Sequence, residues 1–273
     1  TCGGQDHRQG VIKVSKLKVP DNLAVSIPVR ALVNRVNLRL SPSDAMYKGN
    51  DRHYLSCGAS AINAILSSLY IADTSSPSTV LDFGSGAGRV TRWLRAAFPS
   101  SKIEVCDIRG QDLEFCAEVF GAKTWASETN IDALSAPQSY DLVWAGSVIT
   151  HLDAQKTQKL ISKIVSWLNP GGLFVFSTHG RYAASKLRSG HYGVSKVGTE
   201  TICSEYEDKF FGYADYPRQS GYGISITGMR WIQQFIESRN DCRLVLLSER
   251  AWDGHHDVVA LQACDYLEPF PLK

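Results

Sequence analysis

Gly84, Gly86 and Gly88 follow the apolar run Thr79-Val80-Leu81-Asp82-Phe83 and lead into a helical pattern. A glycine-rich turn between strand and helix lets the backbone approach a ligand closely and aims free N–H groups at it. Such a loop alone fits dinucleotides, nucleotides and purely structural turns alike. Spacing narrows the choice: the dinucleotide pattern GxGxxG would put its third glycine where Arg89 stands, one position after Gly88. Asp107 lies about 20 residues further on, at the end of the next apolar run, where a carboxylate accepts hydrogen bonds from both ribose hydroxyls of an adenosine. A strand-end Asp by itself is a plain cap; its pairing with this loop points to ribose.

The histidines are the second chemically able group. His151 follows an apolar run by a few residues and suits a general base, because its ordinary pKa lies near neutrality. It serves equally as a hydrogen-bonding support for the loop near Asp153. His179, with Arg181 nearby, closes another apolar run at the same rim, so His151, His179 and Arg181 are the catalytic candidates. His255 and His256 read as structural, with His256 and Asp257 within reach of the substrate side. Histidines at strand ends without ligand spacing predict no metal. Tyr182, Tyr192, Tyr206, Phe210, Phe211, Tyr213, Tyr216 and Tyr222 crowd residues 180–226. They fit a lid that stacks on a flat acceptor and excludes water, or a satellite core under a long excursion.

Positioning these groups takes alternating strands and helices. Apolar periodicity predicts a helix over 57–70, strands over 79–83 and 102–107, and a helix through Val90, Trp93, Leu94 and Ala97. A helix over 113–120, a weaker strand near 122–126 and a strand over 140–146 follow. Asp153 is placed as the N-cap of a helix whose face is Leu160, Ile161, Ile164, Val165 and Leu168. Asn169-Pro170-Gly171-Gly172 is expected to end that helix before a strand over 173–178. Residues 180–226 show no sustained periodicity. A helix at Trp231–Ile236 and strands over 243–248 and 257–263, joined by a hairpin turn at Trp252-Asp253-Gly254, complete the chain. This βαβα order implies a mostly parallel sheet with helices on both faces. Residues 1–53 read as an N-terminal arm broken by Pro20, Pro28 and Pro42, and 54–273 as one domain carrying the 180–226 insertion.

Composition excludes several classes. The net charge of +2 among 273 residues offers no basic footprint for nucleic acid, and the interleaved run from Lys13 to Lys18 reads as a solvated strand. No run of about 18 apolar residues predicts a membrane span. Seven cysteines form no CxxC pair, which fits a reducing, cytoplasmic compartment better than a disulfide framework. The first residues lack a signal-peptide core, and the missing initiating Met is what a piece of a longer chain would show.

Together these features resemble class I S-adenosylmethionine-dependent methyltransferases. Asp82 to Gly88 match the family's first motif, Asp107 its ribose-binding acid, Asp141 to Ser147 its fourth strand, and Leu168-Asn169-Pro170-Gly171-Gly172 its L-x-P-G-G turn. The resemblance spans roughly 54–263 and implies a Rossmann-like seven-stranded sheet whose last strand is antiparallel. It implies S-adenosyl-L-methionine as cofactor, bound by Asp82, Gly84, Ser85, Gly86, Gly88, Asp107, Ile108 and Ser147, with Tyr54 from just before the 57–70 helix. The Ser41–Met46 segment, Tyr54 with Gly58, Ser147–Leu152 and Trp252–Val258 resemble methyltransferases found beside or fused to bacterial glycosyltransferases. That finer resemblance implies O-methylation of a sugar or glycan hydroxyl and a glycosyltransferase domain or partner. N- or C-methylation of a small metabolite, or a silent cofactor-binding module in glycan assembly, are the alternatives. An NAD- or nucleotide-sugar-binding domain is disfavoured by the glycine spacing.

Overall fold

The elements expected between residues 79 and 126 form as read, and the flanking segments build onto them. The computed structural model describes residues 15–264 apart from Asn22 and Ala24. Strand β1 (Ser15–Lys16) pairs antiparallel with β2 (Arg39–Leu40), and the one-turn helix α1 (Ile27–Arg30) lies between them in the chain. Leu17, Val29, Val36 and Leu40 of this stretch are buried in one core with helix α2 (Asp51–Ile71), so it packs onto the domain. The helix starts six residues before the first of the residues read as helical. Asn50 caps it by accepting from the His53 N–H, and Asp51 favours the positive end of the helix dipole.

The sheet is built from β3 (Thr79–Phe83), β4 (Lys102–Asp107), β5 (Lys123–Ala126), β6 (Tyr140–Ala145) and β7 (Leu168–Thr178), joined through helices α3 (Thr91–Ala97), α4 (Gly110–Phe120) and α5 (Ala154–Val165). After β7 the chain makes α6 (Arg181–Leu187), α7 (Lys196–Lys209) and the hairpin β8 (Phe211–Tyr216) and β9 (Gln219–Thr227). It then returns through α8 (Met229–Glu237) to β10 (Cys242–Trp252) and β11 (His256–Ala263). The strand order is β10-β11-β7-β6-β3-β4-β5; β3 to β7 are parallel, and β11 runs antiparallel to both its neighbours.

Alternate strand residues feed two cores. Val80, Val105, Leu142, Val175 and Val258 face α2, α3 and α4, whereas Leu81, Val143, Phe174, Phe176 and Val259 face α5 and α8. Burial on both faces is why these strands read as continuous apolar runs. Helix α2 is long and apolar enough to cross a membrane by length and composition, contrary to the sequence expectation, but Leu55, Ile62 and Ile65 are buried in the core.

Two expectations change. Asn169-Pro170-Gly171-Gly172 does not end α5, which closes at Val165; it lies inside β7, where the pairing jumps from Tyr140↔Leu168 to Leu142↔Leu173. The proline and the positive φ of Gly171 are accommodated as a bulge at the sheet's end, where a missing ladder hydrogen bond costs little. Residues 180–226 hold two helices and a hairpin. Ala183, Leu187, Ile202, Ile224 and Ile226 give this unit a small core of its own.

Candidate active site

The carboxyl ends of β3, β4 and β6 open into a cleft of about 410 Å³. At its floor β3 gives way to the glycine loop. The Gly84 N–H donates to the Cys106 carbonyl at 2.7 Å, tying the loop to β4. Gly86 has φ +50° and empty space where a Cβ would lie, so bare backbone faces the cleft. Gly88 does a different job: a Cβ there would stand 2.4 Å from the Phe120 ring, so this glycine lets α4 pack close and does not line the cleft.

Asp107 lines the cleft at the end of β4. Its Oδ2 accepts from the Gly86 N–H at 2.8 Å and its Oδ1 from the Arg109 N–H at 3.0 Å. Each oxygen keeps a further lone pair for a hydroxyl donor. Asp82 also reaches the cleft but is almost wholly buried, with Thr91 Oγ1 donating to its Oδ2 at 2.6 Å. Burial pushes its carboxyl up to about 7, and the Asp107 charge adds to the shift. Ile108 and Met46 leave large apolar surfaces exposed at the lip, suited to the faces of a purine. Gly84, Ser85 and Ser147 complete the expected lining.

Tyr54 is not in the cleft. Its hydroxyl donates to Asp44 Oδ2 and accepts from Arg92, whose guanidinium is fully buried. Arg92 also donates to the Gly88, Asn37 and Arg39 carbonyls at 3.2, 2.8 and 3.0 Å. One cation thus fastens the 37–44 segment to the glycine loop, and Asp44 and Met46 form part of the cleft wall. Sequence reasoning missed Arg92; an arginine on the apolar side of a short helix was the available signal. Trp252 supplies the opposite wall, donating from Nε1 to the Cys57 carbonyl at 3.0 Å and meeting Trp144 edge-on.

Of the three catalytic candidates, His151 alone lines this cleft. It sits on a 3-10 turn after β6, with Nδ1 2.9 Å from the Gly223 carbonyl and 3.4 Å from the Tyr216 hydroxyl. A carbonyl only accepts, so Nδ1 carries the proton and Nε2 keeps its lone pair. Burial lowers the imidazole's pKa, so it is neutral at pH 7. Its ring stacks on Tyr222, which the β8–β9 hairpin carries over the cleft.

His179 is buried away from the cleft lining, with Nε2 3.2 Å from His256 Nε2; burial pushes it down to about 3. Arg181 is exposed and ion-paired with Glu249, outside the cleft. His256 and Asp257 are buried, and Asp257 Oδ1 accepts from the Arg250 N–H.

Residues 81–174 match the family model described as "Methyltransferase domain". Malonyl-[acyl-carrier protein] O-methyltransferase of Halalkalibacterium halodurans is 30% identical over 115 residues, covering 38% of this chain and 40% of the relative. Malonyl-[acyl-carrier protein] O-methyltransferase 2 of Ilyobacter polytropus is 24% identical over 152 residues, covering 52% and 58%. The chain therefore spans about half the length of the curated relatives it matches. Among solved structures, an S-adenosylmethionine-dependent methyltransferase from Clostridium acetobutylicum superposes with a TM-score of 0.53 at 12% identity, over 75% of this chain and 91% of that one. The plantazolicin methyltransferase BpumL in complex with SAH gives 0.50 at 12% identity, over 78% and 84%. The fold is that of the class I methyltransferases.

Proposed function

We propose that this chain, whose core is a class I S-adenosylmethionine-dependent methyltransferase domain, methylates a hydroxyl oxygen on a sugar or glycan. The observation that carries the hydroxyl reading is His151, neutral, anchored through Nδ1, and lining the cleft with a lone pair free on Nε2. A hydroxyl acceptor must lose a proton as its oxygen is alkylated, and a neutral imidazole takes it.

The residues present fit the cofactor. Asp107 has a lone pair left on each oxygen for the ribose hydroxyls, the bare backbone at Gly86 admits close approach, and the exposed Ile108 and Met46 side chains would hold the adenine. When bound, S-adenosyl-L-methionine supplies an electrophilic methyl group. Trp252 and Tyr222 wall the cleft from water, and His151 holds the acceptor proton. The sugar reading is supported by Tyr222, which lines the cleft beside His151 with nearly half its surface exposed and suits stacking against a pyranose face. The same reading extends to a cytoplasmic setting and a glycosyltransferase domain or partner.

A second reading comes from the names of the curated relatives, whose acceptor is a malonyl group on a carrier protein. A carboxylate carries no proton at neutral pH, so that reaction leaves His151 without a task. Formation of S-adenosylhomocysteine with free sugars, nucleotide sugars and a malonyl thioester separates the two. Turnover of a sugar that falls about 10²–10⁴-fold in His151→Gln, with S-adenosylhomocysteine affinity retained, is expected. Turnover of the thioester alone, unchanged in His151→Gln, would overturn the proposal.

A further inference from the structure

Three imidazoles converge where β7 ends beside the start of β11. Asp257 pairs with Thr178 across these antiparallel strands, so the next residues in register, His256 and His179, meet although 77 positions apart. His255 joins them from the hairpin turn, and one ring nitrogen from each of the three lies within 4.8 Å of the others.

Proton placement decides what this cluster can hold. The His255 Nδ1 lies 3.1 Å from the Asp253 carbonyl, which only accepts, so Nδ1 is protonated and Nε2 bears the lone pair. The His256 Nδ1 lies 3.1 Å from Ser177 Oγ, an oxygen able to accept its proton. The His179 Nδ1 is buried without a hydrogen-bond partner, while its Nε2 already faces that of His256. His255 and His256 can therefore turn Nδ1–H to an oxygen and keep Nε2 as the free donor. This is how metal-bound histidines are oriented by their outer partners.

The spacing of the His179–His256 pair fits as well. Two nitrogens about 2.0–2.1 Å from a tetrahedral zinc are roughly 3.3–3.4 Å apart, and His179 Nε2 and His256 Nε2 stand at 3.2 Å. We propose that His179, His255 and His256 form a binding site for one divalent transition-metal ion of the zinc class, with a fourth position left open. Three imidazole ligands suit that class and not Mg²⁺ or Ca²⁺, which take oxygen ligands. His255 also lines a cavity of about 470 Å³ together with Tyr192 and Asp253, which gives the cluster an open side at that residue. The site lies outside the cofactor cleft and does not rest on the O-methylation reading. No spacing in the sequence announces it, since strand pairing brings the ligands together.

The test needs no acceptor. The full chain, stripped with a chelator and dialysed, is titrated with Zn²⁺ by calorimetry and with Co²⁺ by visible spectroscopy, with S-adenosylhomocysteine binding as the check on fold. One ion per chain and the intense visible bands of four-coordinate Co²⁺ are expected. His255→Ala, a partly exposed position, weakens the ion by about tenfold or more, and His179→Asn abolishes it, while S-adenosylhomocysteine still binds. Absence of a stoichiometric ion in the native protein would overturn the proposal. Ion binding unchanged in His255→Ala would do so too, because other histidines of the chain would then hold it. Should His179→Asn fail to bind S-adenosylhomocysteine, the His255→Ala result decides alone.

Discussion

Asp107 is the residue on which cofactor affinity should turn. Its two oxygens each accept one backbone N–H and each has a lone pair left. Hydrogen bonds to a charged partner contribute about 1.5–3 kcal/mol each. Asp107→Ala therefore removes about 3–6 kcal/mol from S-adenosylhomocysteine binding, roughly two to four decades in Kd. Asp107→Asn keeps the volume and one acceptor but turns an amide N–H₂ toward a backbone donor, and should weaken binding by about one to two decades. Calorimetric titration of wild type and both variants with S-adenosylhomocysteine and its 2′-deoxy and 3′-deoxy analogues closes a double-mutant cycle. If the carboxylate holds the hydroxyls, a deoxy analogue loses affinity in wild type and little in Asp107→Ala, with a coupling of about 1.5–3 kcal/mol. Additive losses would refute the reasoning and leave Asp107 only a support for the glycine loop.

Burial lowers the His151 pKa, so turnover of a hydroxyl acceptor should rise with pH below the ordinary histidine value and stay flat from neutrality upward; a pH–rate profile inflecting above pH 7 contradicts a histidine base. Asp82 has a raised folded pKa, about 7, so its contribution to stability is present below the unfolded value near 4 and lost as pH rises through 7. Asp82→Asn should therefore gain on wild type by about 2–3 kcal/mol between pH 5 and pH 8 in denaturant titrations, and a pH-independent difference would contradict it. Arg92→Met strips donors from three carbonyls and the Tyr54 hydroxyl. A loss of about 3–5 kcal/mol in urea, with protease cleavage within residues 37–50, is expected, and a loss under about 1 kcal/mol would show the segment is held otherwise.

The glycine loop, β3, β4 and the Asp153 cap were legible because each is written in contiguous residues: an apolar run, a breaker, a capping side chain. The turn at Pro170 misled because proline and glycine are equally tolerated as a bulge at a strand's end. The insertion gave little period to read, since α7 buries only Gly198 and Ile202 and β9 alternates buried apolar and buried polar residues. Within the site, Asp107 and His151 stand where their spacing from strand ends put them. Tyr54, Gly88, His179 and Arg181 do not line the cleft, because which way a residue beside a motif faces depends on packing from distant segments. Arg92 and the meeting of His179 with His256 depend on pairings that no local pattern records.

The hairpin that carries Trp252 also sets an order of events. A chain emerging from the ribosome makes α2, the glycine loop and the ribose-side aspartate long before Trp252, whose indole N–H must find a carbonyl 195 positions earlier. Until β10 and β11 dock, the cleft lacks a wall, and β7 shows an unpaired edge to its surroundings. Cofactor in the cell can therefore reward only a chain already made past β11. Chains stalled between β9 and the end of β11 should be the ones that aggregate or are degraded.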